Sequence, residues 1–179
     1  MSKQKNLKKN IKIKRDKTIA ILLDKALNYQ KTGRFNLTES TLKDVLKINP
    51  NHLEALHIYS LFLMQQKEYK RSVEIIDRSL KINRTNDLIY NNKGVALKKM
   101  GKFDQAILCY KLALKINSEN GESYINLGNV YQDMGENEKA LSYFKKASDL
   151  NIKYRKIFEE KKLLLNSVTD EIKDALKKD

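Results

Sequence analysis

Four blocks of 34 residues follow one another with no insertion or deletion: Ile19 to His52, Leu53 to Asn86, Asp87 to Asn120 and Gly121 to Tyr154. A fixed period of this length constrains the fold more than any other feature of the chain. Each block has to be one supersecondary unit that hides its apolar face by stacking on its neighbours. The blocks end in nearly the same words: Leu46-Lys47-Ile48-Asn49, Leu80-Lys81-Ile82-Asn83, Leu114-Lys115-Ile116-Asn117 and Asp149-Leu150-Asn151-Ile152. Midway through each sits a turn signal: Gly33-Arg34-Phe35, Lys67-Glu68-Tyr69, Gly101-Lys102-Phe103 and Gly135-Glu136-Asn137. Glycine at such a place supplies the positive φ that closes a helix. Lys67 and Asn137 depart from that pattern.

Between these marks the apolar residues recur every three to four positions, the period of a helix with one buried face. In the third block Tyr90, Lys93-Gly94 and Leu97 share a face of one helix. Phe103, Ala106, Ile107, Tyr110 and Ala113-Leu114 share a face of the next. Gly94 and Gly128 fall in helix interiors, where glycine costs about 1 kcal/mol against alanine. The expectation is that another backbone comes close there. Ala106 and Ala140 mark a crowded contact on each second helix. Helices are predicted over Ile19–Thr32, Phe35–Ile48, Leu53–Gln66, Tyr69–Ile82, Asp87–Met100, Phe103–Ile116, Gly121–Met134, Asn137–Leu150 and Arg155–Lys177.

The pattern resembles the tetratricopeptide repeat family. Tyr90, Lys93-Gly94, Leu97, Gly101, Phe103, Ala106, Tyr110 and Ala113 carry the likeness in the third block. Tyr124, Leu127-Gly128, Tyr131, Gly135, Ala140, Phe144 and Ala147 carry it in the fourth. The second block follows with Leu56, Tyr59-Ser60, Leu63, Tyr69, Ser72, Ile76 and Ser79, and the first with Leu22, Ala26, Tyr29, Gly33, Phe35 and Pro50. The resemblance implies an all-α, right-handed α-solenoid of four helix-turn-helix repeats over residues 19–154. Residues 155–179 then read as a C-terminal capping helix. Their stripe of Ile157, Phe158, Leu164, Leu165, Val168, Ile172, Ala175 and Leu176 would cover the last apolar face. The spacing continues through Ser167 and favours one long helix, although Ser167 to Asp170 also fits a capping box that restarts a second; the functional alternative for residues 155–179 is a dimerisation or partner-docking helix.

Composition agrees with helices: one proline, six glycines and no tryptophan. No apolar stretch is long enough to span a bilayer. The single cysteine, Cys109, forms no internal disulfide, which suits a reducing cytoplasm. The net charge is +14. Half of it lies in residues 1–18, where Lys3, Lys5, Lys8, Lys9, Lys12, Lys14, Arg15 and Lys17 face only Asp16. Leu7, Ile11 and Ile13 stand between the cations. This segment reads as a basic, disordered tail, with weak contact to nucleic acid or acidic lipid as its functional alternative.

Chemistry is sparse. His52 and His57 sit five residues apart, outside any metal-ligand spacing, and no phosphate loop or nucleophile motif is present. No enzyme activity, cofactor or metal is expected. Function rests on what the resemblance implies, a concave groove lined by the first helices. Its residues here are Leu23, Asp24 and Leu27; His57, Ile58 and Leu61; Asn91, Asn92 and Val95; and Ile125, Asn126 and Asn129. The first half is apolar and the second carries an asparagine row, able to grip a peptide main chain or to bond within the repeats.

The chaperone adaptors of this family clamp a C-terminal carboxylate with lysine, arginine and asparagine. The matching places here are His57, Leu61, Asn92, Glu122 and Asn126 and lack the basic pair. The asparagine row is more similar to repeats joined to sugar transferases. The expected function is a cytoplasmic scaffold binding another protein's segment or helix in the groove. The alternatives are a non-catalytic relative of a repeat-bearing glycosyl- or sulfotransferase and an assembly protein that self-associates through its ends.

Overall fold

A computed structural model describes the backbone of residues 2–176 and the side chains of residues 4–165 and 167. Among these residues the fold is all-α, of the α-solenoid class. The first repeat pairs α1 (Ser2–Lys31) with α2 (Phe35–Ile48), and the second pairs α3 (Leu53–Gln65) with α4 (Tyr69–Ile82). The third pairs α5 (Asp87–Lys99) with α6 (Phe103–Ile116), and the fourth α7 (Gly121–Asp133) with α8 (Asn137–Leu150). A 3-10 turn, Ile152–Tyr154, leads into α9 (Arg155–Leu176). The chain forms two compact units, Met1–Arg84 with the first two repeats and Thr85–Asp179 with the last two and α9.

Every repeat turns in the same way. The left-handed residue is Gly33, Lys67, Gly101 or Gly135, with φ of 71°, 60°, 72° and 77°. The next amide donates back five residues: Arg34 to Tyr29, Glu68 to Leu63, Lys102 to Leu97 and Glu136 to Tyr131, at 2.8–3.0 Å. The left-handed residue itself donates back three. This double bond is the Schellman closure, and it satisfies carbonyls that a helix end leaves open. Lys67 therefore takes the glycine's place at a conformation that strains a side chain. Helices α1, α3, α5 and α7 stop one residue before the predicted end, because Thr32, Gln66, Met100 and Met134 belong to the closure.

The asparagine at the thirty-first place has a defined role in the first, third and fourth blocks. Asn49 Oδ1 accepts the Asn51 amide at 3.2 Å, Asn117 the Glu119 amide at 3.1 Å and Asn151 the Lys153 amide at 2.9 Å. These Asx turns redirect the chain toward the next repeat. The last residue of the block then caps the following helix: His52 Nδ1 accepts from Ala55, Asn86 from Ile89 and Asn120 from Ser123.

The two helices of each repeat meet at two small places, both buried. The eighth place of the block holds Ala26, Ser60, Gly94 and Gly128, and the twentieth holds Thr38, Ser72, Ala106 and Ala140. The twenty-fourth place faces them with Leu42, Ile76, Tyr110 and Phe144, none more than 2 % exposed. A Cβ on Gly94 would collide with the Tyr110 ring, and one on Gly128 with the Phe144 ring. An aromatic ring, rather than a neighbouring backbone, is thus what requires glycine at these two places. Smaller Leu42 and Ile76 stand with alanine and serine. Leu97 (3 % exposed) and Leu127 (0 %) complete the same face.

Two expectations need correction. Residues 2–18 are helical and continuous with the repeat, where a disordered tail was expected. No glycine or proline interrupts the chain before Gly33, and lysine, leucine and glutamine cost little in a helix. In α9 Leu165 is buried at 3 % exposure, Ile157 and Phe158 are half-buried, and Leu164 is turned outward at 50 %. The helix passes Ser167–Asp170 without a break. Val168, Ile172, Ala175 and Leu176 of the expected stripe lie outside the described side chains.

The Tyr110 hydroxyl is fully buried and has no hydrogen-bond partner. Removing it with Tyr110→Phe should stabilise the protein by roughly 1 kcal/mol, read as a raised denaturation midpoint. Gly94→Ala should cost roughly 1–3 kcal/mol through the collision with the ring. Adding Tyr110→Leu to it, the combination the first repeat uses, should recover most of that loss. A double mutant no better than the sum of its parts would break the volume argument.

Candidate functional site

The first helices, α1, α3, α5 and α7, carry the residues read as a groove, and the structure divides them by place in the block. The ninth place holds Leu27, Leu61, Val95 and Asn129. Leu27 and Leu61 are each 39 % exposed. Val95 and Asn129 are half-buried. The fifth and sixth places are drawn toward the neighbouring first helix. Leu23 is buried in the core of the first unit, and Ile58 packs against that core. His57, Asn92 and Ile125 are half-buried, and Asp24 is exposed.

Asn91 departs furthest from expectation. It is 4 % exposed, and its Oδ1 accepts from Ser123 Oγ at 3.1 Å and from Asn126 Nδ2 at 3.0 Å. The Asn91–Asn126 pair therefore ties α5 to α7 within the second unit, where Leu23 and Ile58 are the apolar counterpart in the first. Asn91 is a packing residue and is not presented to a partner. Ser123, buried and bonded to it, went unread because a lone serine on a helix carries no periodic signal. Of the asparagine row, Asn92 and Asn129 keep partly exposed side chains.

A second tie recurs near the ends of the first helices. Gln30 Nε2 donates to Gln65 Oε1 at 2.6 Å, and Lys98 pairs with Asp133 at 2.9 Å. These are the twelfth place of one repeat and the thirteenth of the next in each unit. Such bonds fix the spacing of adjacent first helices and so the shape of the strip between them.

Opposite this strip, the first unit holds a polar network that the sequence did not announce. The Tyr59 hydroxyl donates to Glu39 Oε1 at 2.9 Å, Arg71 Nη2 donates to the Tyr59 oxygen at 2.9 Å, and Arg71 bridges Glu39 and Glu68. Lys43 reaches Glu39 at 2.8 Å. One carboxylate thus joins α2, α3 and α4. The Lys43 ammonium and the Arg71 guanidinium hold the Glu39 carboxyl down at about 2 against an ordinary 4.5. Burial and Glu39 push the Tyr59 phenol up to about 12. A signal did exist: Glu39 occupies the place that Val73, Ile107 and Leu141 fill elsewhere. In the fourth repeat the counterpart is aromatic, with Tyr143 stacked on Tyr131 at 5.3 Å between ring centroids and Lys146 5.1 Å from the Tyr143 ring.

Among the described residues no group of three or more His, Cys, Asp or Glu is placed to hold a metal. No described helix is long and apolar enough to cross a membrane. Cys109 is 6 % exposed inside α6. Within the first unit the first helices offer apolar contact at Leu27 and Leu61, and within the second they offer amide hydrogen bonding at Asn92 and Asn129.

The family model for the tetratricopeptide repeat matches residues 88–120 and 121–154. Those are the two repeats with glycine at the eighth and fifteenth places. Among solved structures the chain is similar to MamA. A crystal structure of MamA protein is 25% identical over 91% of this chain and 92% of that one, with a TM-score of 0.70. A MamA mutant is 30% identical over 74% of this chain and 72% of that one, with a TM-score of 0.63. A MamA fragment from Desulfovibrio magneticus RS-1 is 19% identical over 74% and 75% of the two chains, with a TM-score of 0.68, and speaks for the fold alone. No curated protein matches the sequence.

The Glu39 network should make stability pH-dependent. A carboxyl whose folded pKa lies below its unfolded one stabilises in full above the unfolded value, and loses that contribution as pH falls toward the folded value. The window here runs from 4.5 down to about 2. Urea denaturation across that window should show wild type losing more stability than Glu39→Gln. Parallel loss in the two proteins would remove Glu39 from the account.

Proposed function

The chain belongs to the tetratricopeptide repeat family, and from that premise we infer that it is a protein-interaction scaffold that binds a segment of another protein along its first helices. The observation that supports this reading most is the exposure of Leu27 and Leu61 at the same place of consecutive repeats, 39 % each. Two leucines one repeat apart offer an extended or helical partner two apolar anchors at a fixed spacing. In the second unit Asn92 and Asn129 add amide donors and acceptors that bond a main chain of any sequence. Asn126 contributes less, because one of its N–H groups is spent on Asn91. The repeats position a partner and perform no chemistry of their own. The reading places the protein in the cytoplasm.

A second reading has its own observation. Leu163 and Leu164 are 73 % and 50 % exposed on the outer side of α9. Paired leucines facing water at a chain end favour association with a further copy or another protein. Light scattering across a concentration series separates this from the first reading.

The test of the first reading is capture of partners from the native lysate followed by direct binding of the partner found. Leu61→Asp should lower affinity by about tenfold or more, since an unpaired charge then meets an apolar anchor. Asn92→Ala with Asn129→Ala should cost about 0.5–1.5 kcal/mol for each main-chain bond removed. Lys111→Ala on the exposed side of α6 should change nothing. Groove variants that fold and still capture the wild-type partners would overturn the proposal.

A further inference from the structure

The first seventeen described residues of α1 raise a physical problem. From residue 4 to Thr18 every side chain is exposed, so no packing supports the helix. Its charges are placed against it. Lys5–Lys9 and Lys8–Lys12 are like-charged neighbours four apart, and Lys12–Arg15 and Lys14–Lys17 are neighbours three apart. Cations gather at the end where the helix dipole is positive, and no acid stands in the first turn. The one carboxylate, Asp16, is 3.7 Å from Arg15 and offsets a single charge. A helix built this way is relieved by a dense negative surface laid along it.

The aliphatic residues say which kind. Leu7 and Ile11, 61 % and 60 % exposed, are one turn apart and form a line along one face. At 3.6 residues per turn Ile21, 67 % exposed, falls close to the same line. Lys17 flanks the line on one side and Arg15, Lys8 and Lys12 on the other, and Lys14 stands within it. Lys8, Ile11, Lys12 and Arg15 border one shallow depression. Long stems beside an apolar line let ammonium groups rise to headgroups while the aliphatic side chains enter the acyl boundary. Against nucleic acid the aliphatics would idle, and the arm has no aromatic to stack on bases and one arginine fork, Arg15, among seven lysines.

We propose that residues 2–18 form a helical arm that seats the protein on an anionic bilayer surface, with Leu7 and Ile11 in the interface and the lysines on the headgroups. The arm is separate from the partner-binding strip, so the two proposals stand or fall independently.

The experiment is co-sedimentation of the full chain with vesicles of phosphatidylcholine, alone or with about 30 mol% phosphatidylserine, at roughly 0.1 M and 0.5 M salt. Binding is expected with the anionic vesicles at low salt only. Replacing Lys5, Lys8, Lys9 and Lys12 by Gln should weaken it by about tenfold or more, and Leu7→Ser with Ile11→Ser by several-fold. Circular dichroism melts should show both variants with intact repeats, because the arm lies outside the core. Absence of binding, or equal binding to neutral vesicles, would overturn the proposal. So would a Leu7/Ile11 variant that binds like wild type while duplex RNA competes, which would identify a polyanion site instead.

Discussion

The whole array hangs on one steric relation between the two helices of each repeat. The eighth and twenty-fourth places together fill a fixed space: Ala26 with Leu42, Ser60 with Ile76, Gly94 with Tyr110 and Gly128 with Phe144. Interiors are packed nearly as tightly as organic crystals, so volume gained on one helix has to be given up on the other. The two aromatic repeats give it up completely and accept the helix penalty of glycine. Once that distance is set, the Schellman closure at the fifteenth place and the Asx turn at the thirty-first return the chain to the same starting geometry. The period survives four times because each device takes the same number of residues.

The two units use different chemistry for the same join between first helices. In the first unit these places sit in or against the apolar core, at Leu23 and Ile58, and in the second Asn91 makes directed bonds to Ser123 and Asn126. Burial tolerates sliding, whereas an amide accepting two donors fixes one register. The Glu39–Tyr59–Arg71 network supplies the first unit with the directionality that its apolar join lacks.

What the sequence made legible follows from periodicity. Helix positions emerged within a residue or so because the apolar period, the turn glycines and the terminal asparagines are all local signals. The left-handed Lys67 was readable only through its alignment with Gly33, Gly101 and Gly135. Where identity and role separate, reading stopped. Asn91, Asn92 and Asn126 are the same residue on the same helices, yet one is buried as an acceptor, one is half-exposed and one is half spent. That distinction depends on where the next helix sits, which no single helix encodes. The arm of α1 misled for a different reason. Its composition describes a solvated segment correctly, but solvation and helicity are compatible when no residue breaks the helix.

The continuity of α1 has a mechanical consequence. Residues 2–18 rise about 25 Å at 1.5 Å per residue and run into the packed half of the same helix without a joint. Ile19, Leu23 and Ala26, at 2, 6 and 0 % exposure, clamp that half in the first repeat. Anything gripping the far end thus holds the first repeat by a lever instead of a tether, at one standing height and one rotation. Insertion of a single residue before Ile19 would keep every contact in the repeat and swing the arm's face by about 100°. The length and phase of this unadorned stretch are therefore as much a part of the architecture as the period of the blocks that follow it.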